Sequence, residues 1–427
     1  MTEYAEIRFD EQSERFVVID DQDQAVGFDM GAVHSESLET QSINERRTLG
    51  AVSVDELNEA IQAVSEEGGG SVTFRELTHE IDDHEIELRD GVYLSGYGRS
   101  RTVIRVDDTA GLPQQPIVID GVEDVRISDL SVDGNRGRTD DGDWSEDMVD
   151  IGADTVAKSV IVERIHVSNC IGEAFDVDKC EGVTLRDVSA ENVRGNAIHI
   201  GDDQATNVVV DGFFLEDGTE RNGAVRVEGR GHNISNGVIT GGGIGMMLGN
   251  RETVGVNVSN VQIRDPSEEA LKIRDADGHP LEVTISGCRF EGTPGENVVT
   301  IENGTTGAIT FATCQFVREN NSAPTNVDLG GSNDLSITLS GCHARGGNHA
   351  VRVSDGTAAT ITGCTLGPSG ETAVFSRDRG SASVTGCDCE EPIELATDRN
   401  VVVGNTLRGG YLDDGDGNVV ANNADRS

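Results

Sequence analysis

Four things are scarce in this chain of 427 residues: lysine, proline, aromatic rings and long apolar runs. Lysine occurs only at Lys158, Lys179 and Lys272, and 33 basic residues face 77 acidic ones for a net charge of −44. So acidic a balance lacks the clustered cations that phosphate recognition needs, which excludes a nucleic-acid partner. With 8 prolines beside 53 glycines, the irregular positions read as tight turns, not as a disordered Pro-rich linker. Aromatics make up 4% and include a single tryptophan, Trp144. No apolar stretch approaches the roughly 20 residues of a membrane span, so no membrane insertion is expected. The opening Met1-Thr-Glu-Tyr-Ala-Glu has neither a basic start nor an apolar run, so an ordinary export signal is not expected.

The acidic, lysine-poor composition resembles that of proteins from extreme halophiles, whose surfaces stay solvated in molar salt. Eight cysteines are present, five of them (Cys288, Cys314, Cys342, Cys364 and Cys387) in one slot of successive repeats. Cysteine at a repeated inward slot reads as a small buried hydrophobe, and free thiols are expected over disulfides.

What the chain has in abundance is repetition. The motif Ile285-Ser-Gly-Cys-Arg-Phe290 returns at Phe311, Leu339, Ile361, Val384 and Val402, and in looser form at Ile127, Val162, Leu185, Val210, Ile234 and Val258. In chain order the steps are 35, 23, 25, 24, 24, 27, 26, 28, 22, 23 and 18 residues. A period of about 20–30 residues built from short alternating strands and Gly/Asn turns marks a solenoid. It leaves no room for a helical crossover, so each copy is one coil of a parallel β-helix of about 12 coils. Residues 1–50 stand outside the repeat and read as a small β region with a polar linker over 29–50. Ser53-Val-Asp-Glu56 is a capping-box signature opening a helix over 53–67 with Leu57, Ala60, Ile61 and Val64 on one face, a lid for the open end of residues 51–427. The run from this helix through Gly68-Gly-Gly70 to "GVYLSGYGRSRTVIRV" resembles the entry to right-handed parallel β-helices of the pectate-lyase-like superfamily. That resemblance implies an all-β fold and covers about residues 50–425. The superfamily includes polysaccharide lyases, polygalacturonase-like hydrolases and viral tailspikes.

A second strand recurs in each coil with strict alternation, as in Val149-Asp-Ile151, Phe175-Asp-Val177 and Ile198-His-Ile200. Its flanking residues point inward and its central residue outward. The outward residues, in order, are Asp150, Asp176, His199, Arg226, Met247, Lys272, Thr300, Asp328, Arg352, Phe375 and Glu394. Asp150, Asp176, His199, Arg226 and Lys272 are the candidate catalytic residues: two carboxylates, an imidazole and two cations suited to acidic sugars. Carboxylates about 5 Å apart suit a retaining glycosidase, and a basic group beside a uronate carboxylate suits a lyase. Trp144, Asp178, Asp202, Asp203 and the exposed Met247 are candidate substrate contacts. Gly201-Asp-Asp203, Gly231-His-Asn233 and Lys272-Ile-Arg274 follow the order of polygalacturonase-like steps, but their phases lie at different places around the coil, so the match is read as accidental. No metal site is assigned. Asp413-Asp-Gly-Asp-Gly-Asn418 has the oxygen-rich look of a calcium loop, which makes calcium the one cofactor to consider, although the bidentate Glu of an EF-hand is missing.

Three functions fit. The first is a virion-surface spike resembling tailspikes, a homotrimer whose residues 1–50 join tail or capsid proteins and whose shaft engages host polysaccharide or glycoprotein, with or without cleaving it. The second is a secreted polysaccharide lyase or glycoside hydrolase acting on acidic polysaccharide, and the third is a non-enzymatic scaffold. The first is the expected one.

Overall fold

The computed structural model describes the backbone strands within residues 6–49 and then residues 53–426, except 75–77, 82–83, 108–114, 136–146, 202–203, 217–222, 275–277, 293–294, 320 and 322–323. Two units result, Met1–Ile43 and Asn44–Ser427. The first holds three short antiparallel strands, Glu6–Asp10, Arg15–Ile19 and Ala25–Val26. The second is an all-β parallel solenoid of about 12 turns with one short helix near its start. It begins earlier than the polar linker of the sequence suggests. Glu45–Leu49 pairs in parallel with Gly70–Phe74, so this polar strand is part of the first coil. Among the described residues no helix is long and apolar enough to cross a membrane.

The helix runs from Val54 to Glu66, and both bonds of its capping box form: Glu56 N–H donates to Ser53 Oγ and Ser53 N–H to the Glu56 carboxylate. Val54, Leu57, Ala60, Ile61 and Val64 are its buried face. Asn58 bonds both the carbonyl of Glu85 and the N–H of Glu87, pairing polar backbone at the end of the solenoid with the lid.

The repeat marks become one row in the fold. Ile127 pairs with Val162, Val162 with Leu185, and so on without a slip through Ile285, Phe311 and Leu339 to Val402. Two residues after each mark the backbone enters the left-handed region, at Asp129, Arg164, Asp187, Gly212, Asn236, Asn260, Gly287, Thr313, Gly341, Gly363, Gly386 and Gly404. Gly, Asn and Asp tolerate that conformation, which explains the Gly and Asn of the motif. The two exceptions are anchored: Arg164 grips the Asp129 carboxylate of the previous coil with two 2.7 Å bonds, and Thr313 Oγ1 donates to the Ala312 carbonyl.

All eight cysteines are free and buried. The slot cysteines do more than fill space. Cys314, Cys342, Cys364 and Cys387 direct their Sγ at the carbonyls of Ile285, Phe311, Leu339 and Ile361 one coil back. In the last coils Asn405 and Asn423 make the same bond to Val384 and Val402. The thiol column is thus the weak-donor stretch of a side-chain ladder that asparagine completes.

The widest core side chains sit beside this ladder. Phe316 is fully buried, stacked on Phe290 at 5.7 Å and edge-on to Phe311 at 5.5 Å. Phe316→Ala is expected to cost about 3–5 kcal/mol in denaturant unfolding. A loss under about 1 kcal/mol would show that neighbouring coils do not share a packed core.

Candidate functional site

Parallel pairing at Val149–Ile151, Phe175–Val177 and Ile198–Ile200 sets Asp150 opposite Asp176 and Asp176 opposite His199. The row continues through Arg226, Met247 and Lys272 to Glu394. Successive members are about 4.8 Å apart, the spacing of paired strands. His199 Nδ1 lies 2.8 Å from Asp176 Oδ1, and among the described residues its Nε2 has no hydrogen-bond partner. The ring occupies room left by Gly201, where an added Cβ would come within 2.3 Å of His199 Cε1 and 2.8 Å of Asp178 Oδ1.

Three residues before each column member lies a second row that the sequence reading missed. Asp147 accepts from the N–H of Glu173, and the Glu173 carboxylate accepts from Asn196 Nδ2 at 2.8 Å. The signal was present as a fixed offset of three from Asp150, Asp176 and His199. No alternation rule covers that position, because it lies in the bend before the strand.

These rows crowd carboxyl groups into one place. Burial first, then Asp176, Asp147 and Asp178, push Asp150 up to about 8. Burial, Asp178 and Asp147 push Asp176 up to about 8, with Arg226 opposing. Burial and Asp147 raise Glu173 to about 9. Burial and Arg226 hold the His199 imidazole below its usual range, so it is neutral at pH 7. One proton is therefore shared between Asp176 and His199 near neutrality, and the pair titrates as a unit. With Asp176 ionised, Nδ1–H donates to it and Nε2 presents a lone pair.

Several expectations need correcting. The column is not uniformly exposed: Asp150 and Met247 are each only 2% exposed. Met247 lies in the buried opening residues of the strand Ile244–Ser259, with an Arg274 Nη1–H pointing at its sulfur, so it offers no sugar-stacking surface. Phe375 is half-buried against the His349 ring at 4.7 Å. Arg226 is clamped by the wholly buried Glu228, which also meets Arg251 Nε at 3.4 Å. Arg251 in turn donates to the Gly201 carbonyl, tying the cations to the His199 turn. Lys272 pairs with Glu302 at 3.3 Å and Glu269 at 3.8 Å, two coils beyond Arg226 and away from the dyad. Trp144, Asp202 and Asp203 lie outside the described residues. His232 is structural: it is fully buried, with Nδ1 accepting the Val208 N–H. Asp176, Asp178 and His199 each offer one ligand atom within 4.8 Å of the others, a mixed N/O set unlike calcium's all-oxygen shell. In the 413–418 turn, Asn418 Nδ2 bonds Asp413 and its Oδ1 accepts the Asn400 N–H, so Asn418 is a rung of a ladder.

The fold and this face define a parallel β-solenoid whose architecture is shared with glycan-handling proteins. The catalytic domain of a GH87 α-1,3-glucanase, solved with tetrasaccharides, superposes with TM-score 0.60 and 13% identity over 82% of this chain and 70% of its own. The tailspike of E. coli bacteriophage HK620, solved with a pentasaccharide, gives TM-score 0.50 and 14% identity over 86% and 76%. No family model matches the chain. In sequence it is similar to mannuronan C5-epimerase AlgE1 of Azotobacter vinelandii, 32% identical over 147 residues, and to AlgE4 of the same organism, 30% identical over 147 residues. Those matches take in 31% of this chain and span 10% and 26% of the two relatives.

A carboxyl group with a raised folded pKa stays protonated in the fold where the unfolded chain has already ionised. Asp150 therefore lowers stability progressively as pH climbs from about 4 to about 8, and the loss is complete above that. Asp150→Asn should stabilise the protein at pH 9 by on the order of 2–5 kcal/mol, with the gain vanishing near pH 4. Thermal unfolding across pH checks this, and a pH-independent difference would contradict it.

Proposed function

We propose that the chain is a polysaccharide-modifying enzyme that removes the C5 proton of a uronate residue in an acidic polymer, the step common to epimerisation and β-elimination. The observation that carries the reading is the Asp176–His199 dyad, with its Nε2 buried and unpartnered among the described residues and a protonated carboxyl group on a neighbouring coil. Asp150 in its acid form donates a hydrogen bond to the sugar carboxylate, as buried carboxylic acids with raised pKa do. His199 Nε2 takes the C5 proton, and the electron pair moves into the neighbouring carboxylate, whose added charge Asp150 and Arg226 offset. The intermediate then either regains a proton at C5 on the opposite face or expels the C4 oxygen. The local similarity to two mannuronan C5-epimerases supports the same substrate class.

A glycosidase at Asp150 and Asp176 is the weaker alternative. Retaining hydrolysis needs one ionised carboxylate of the pair, and both are pushed up to about 8. The test is incubation with polymannuronate, polyguluronate and polygalacturonate in heavy water. Deuterium at C5 reports proton removal, and ultraviolet absorbance reports unsaturated ends. His199→Ala should lower the rate by about 10²–10⁴. The wild-type rate should pass through a maximum near pH 8, rising as the dyad loses its proton and falling as Asp150 ionises. Absence of both C5 exchange and unsaturated ends on all three polymers would overturn the reading.

A virion-surface spike engaging host glycans is the second reading, favoured by the separate Met1–Ile43 unit, which would serve as the anchoring piece. The two readings are compatible, since a spike can modify the glycan it binds. The spike reading adds a homotrimer and a halophilic setting. Light scattering in molar salt separates them: a trimer supports the spike, and a monomer removes it.

A further inference from the structure

The first reading leaves one feature unused. In a chain where acids outnumber bases by more than two to one, three arginines from three successive coils converge on a single cleft of about 760 Å³. Arg289, Arg318 and Arg345 come from the strands Arg289–Gly292, Gln315–Arg318 and His343–Arg345, in register through Gly292 opposite Arg318 and Val317 opposite Arg345. Arg318 is 3% exposed and donates to the Pro324 carbonyl at 3.2 Å. It stays cationic despite burial because a guanidinium does not deprotonate in proteins. Its backbone lies so close to Gly346 that a Cβ there would come within 2.5 Å of the Arg318 carbonyl oxygen. Arg289 is held by Glu291 at 2.6 Å and by Gln315 at 2.9 Å. Arg345 is exposed and makes no ion pair or side-chain hydrogen bond among the described residues. Asp265 and Glu319 complete the charged lining.

We propose that this cleft is a second binding site for a uronate polymer, distant from the dyad and holding the same strand; the inference rests on the function proposed above. Guanidinium groups match sugar carboxylates in planar two-bond pairs, and Asp265 and Glu319 accept from sugar hydroxyls. The volume falls within the roughly 300–1,000 Å³ of ligand sites. Among the described residues no aromatic ring lines it, so charge and not ring stacking selects the sugar, which favours acidic over neutral glycans. The three arginines belong to the coils of Thr300, Asp328 and Arg352, four to six coils beyond His199. At about 4.8 Å per coil that is roughly 20–30 Å along the axis. A polymer spans that distance and a trisaccharide does not. The arginines lie on the strand row that precedes the second strand in each coil, so a polymer reaching both places runs along the axis while crossing from that row to the next.

The test is calorimetric titration of the full chain with long polymannuronate, its trisaccharide, a neutral glucan and inorganic phosphate. The wild type should bind the long polyuronate at least about tenfold more tightly than the trisaccharide, and Arg345→Glu should abolish that advantage, while Arg345→Lys keeps part of it. His199→Ala should retain the advantage, since the cleft is remote from it. An advantage that survives Arg345→Glu in a protein of unchanged melting temperature overturns the cleft and leaves the proposed reaction standing. A length advantage that depends on Arg345 with neither C5 exchange nor unsaturated ends overturns the reaction and supports the cleft. Equal affinity for neutral glucan, or displacement of the polymer by phosphate at comparable concentration, overturns the assignment to uronates.

Discussion

Each coil bends at a left-handed residue two positions after its repeat mark, and that bend recurs in register from coil to coil. Strands two faces away inherit their alignment from it, because the parallel ladder between coils has a side-chain period of two and a slip of one residue would turn every core side chain outward. From Ile127 to Val402 the row does not slip. A column of outward side chains follows from the same alignment, and so does the ladder of Cys and Asn side chains inside the bend. Where the bend falls on Arg164, the chain compensates with a two-bond grip on Asp129 one coil away.

Stacking in register has an electrostatic consequence. A solenoid brings residues of like charge to strand spacing whenever the repeat places acids in the same slot. Asp150, Asp176, Glu173, Asp147 and Asp178 meet in this way in two adjacent coils. Burial and mutual repulsion keep part of the set protonated near neutral pH, which is unusual for carboxyl groups and useful beside a sugar carboxylate. Arg226 opposes this only in part, since Glu228 engages both it and Arg251. The result is a face divided into an acid-rich end and a cation-rich end, with a neutral imidazole at the join.

The axis of the solenoid also gives the molecule a direction. Sites on successive coils are spaced by strand pairing, and a linear polymer is the ligand whose contacts can repeat along it. The arginine cleft and the dyad lie on successive strand rows, several coils apart along the axis, which suits a substrate longer than either place alone can hold.

Much of this was legible in the chain. The period, the alternation of the second strand, the capping box and the order of the outward column all follow from local backbone rules, and each is visible in a window of a few residues. The rows at Asp147, Glu173 and Asn196 were not, since a bend has no alternation to betray which way its side chains turn. Exposure was misread at Met247 and Asp150; at Met247 the reason is Arg274 from the next coil, which lies against its sulfur, and such coverage depends on a residue more than twenty positions away. The polar stretch at Glu45–Leu49 looked like linker because its partner strand, Gly70–Phe74, lies beyond the helix. Periodicity and turn chemistry determined the solenoid because they act along the chain. Only the tertiary structure decided which charged groups are paired, which are neutral and where three arginines converge, because those are interactions between coils.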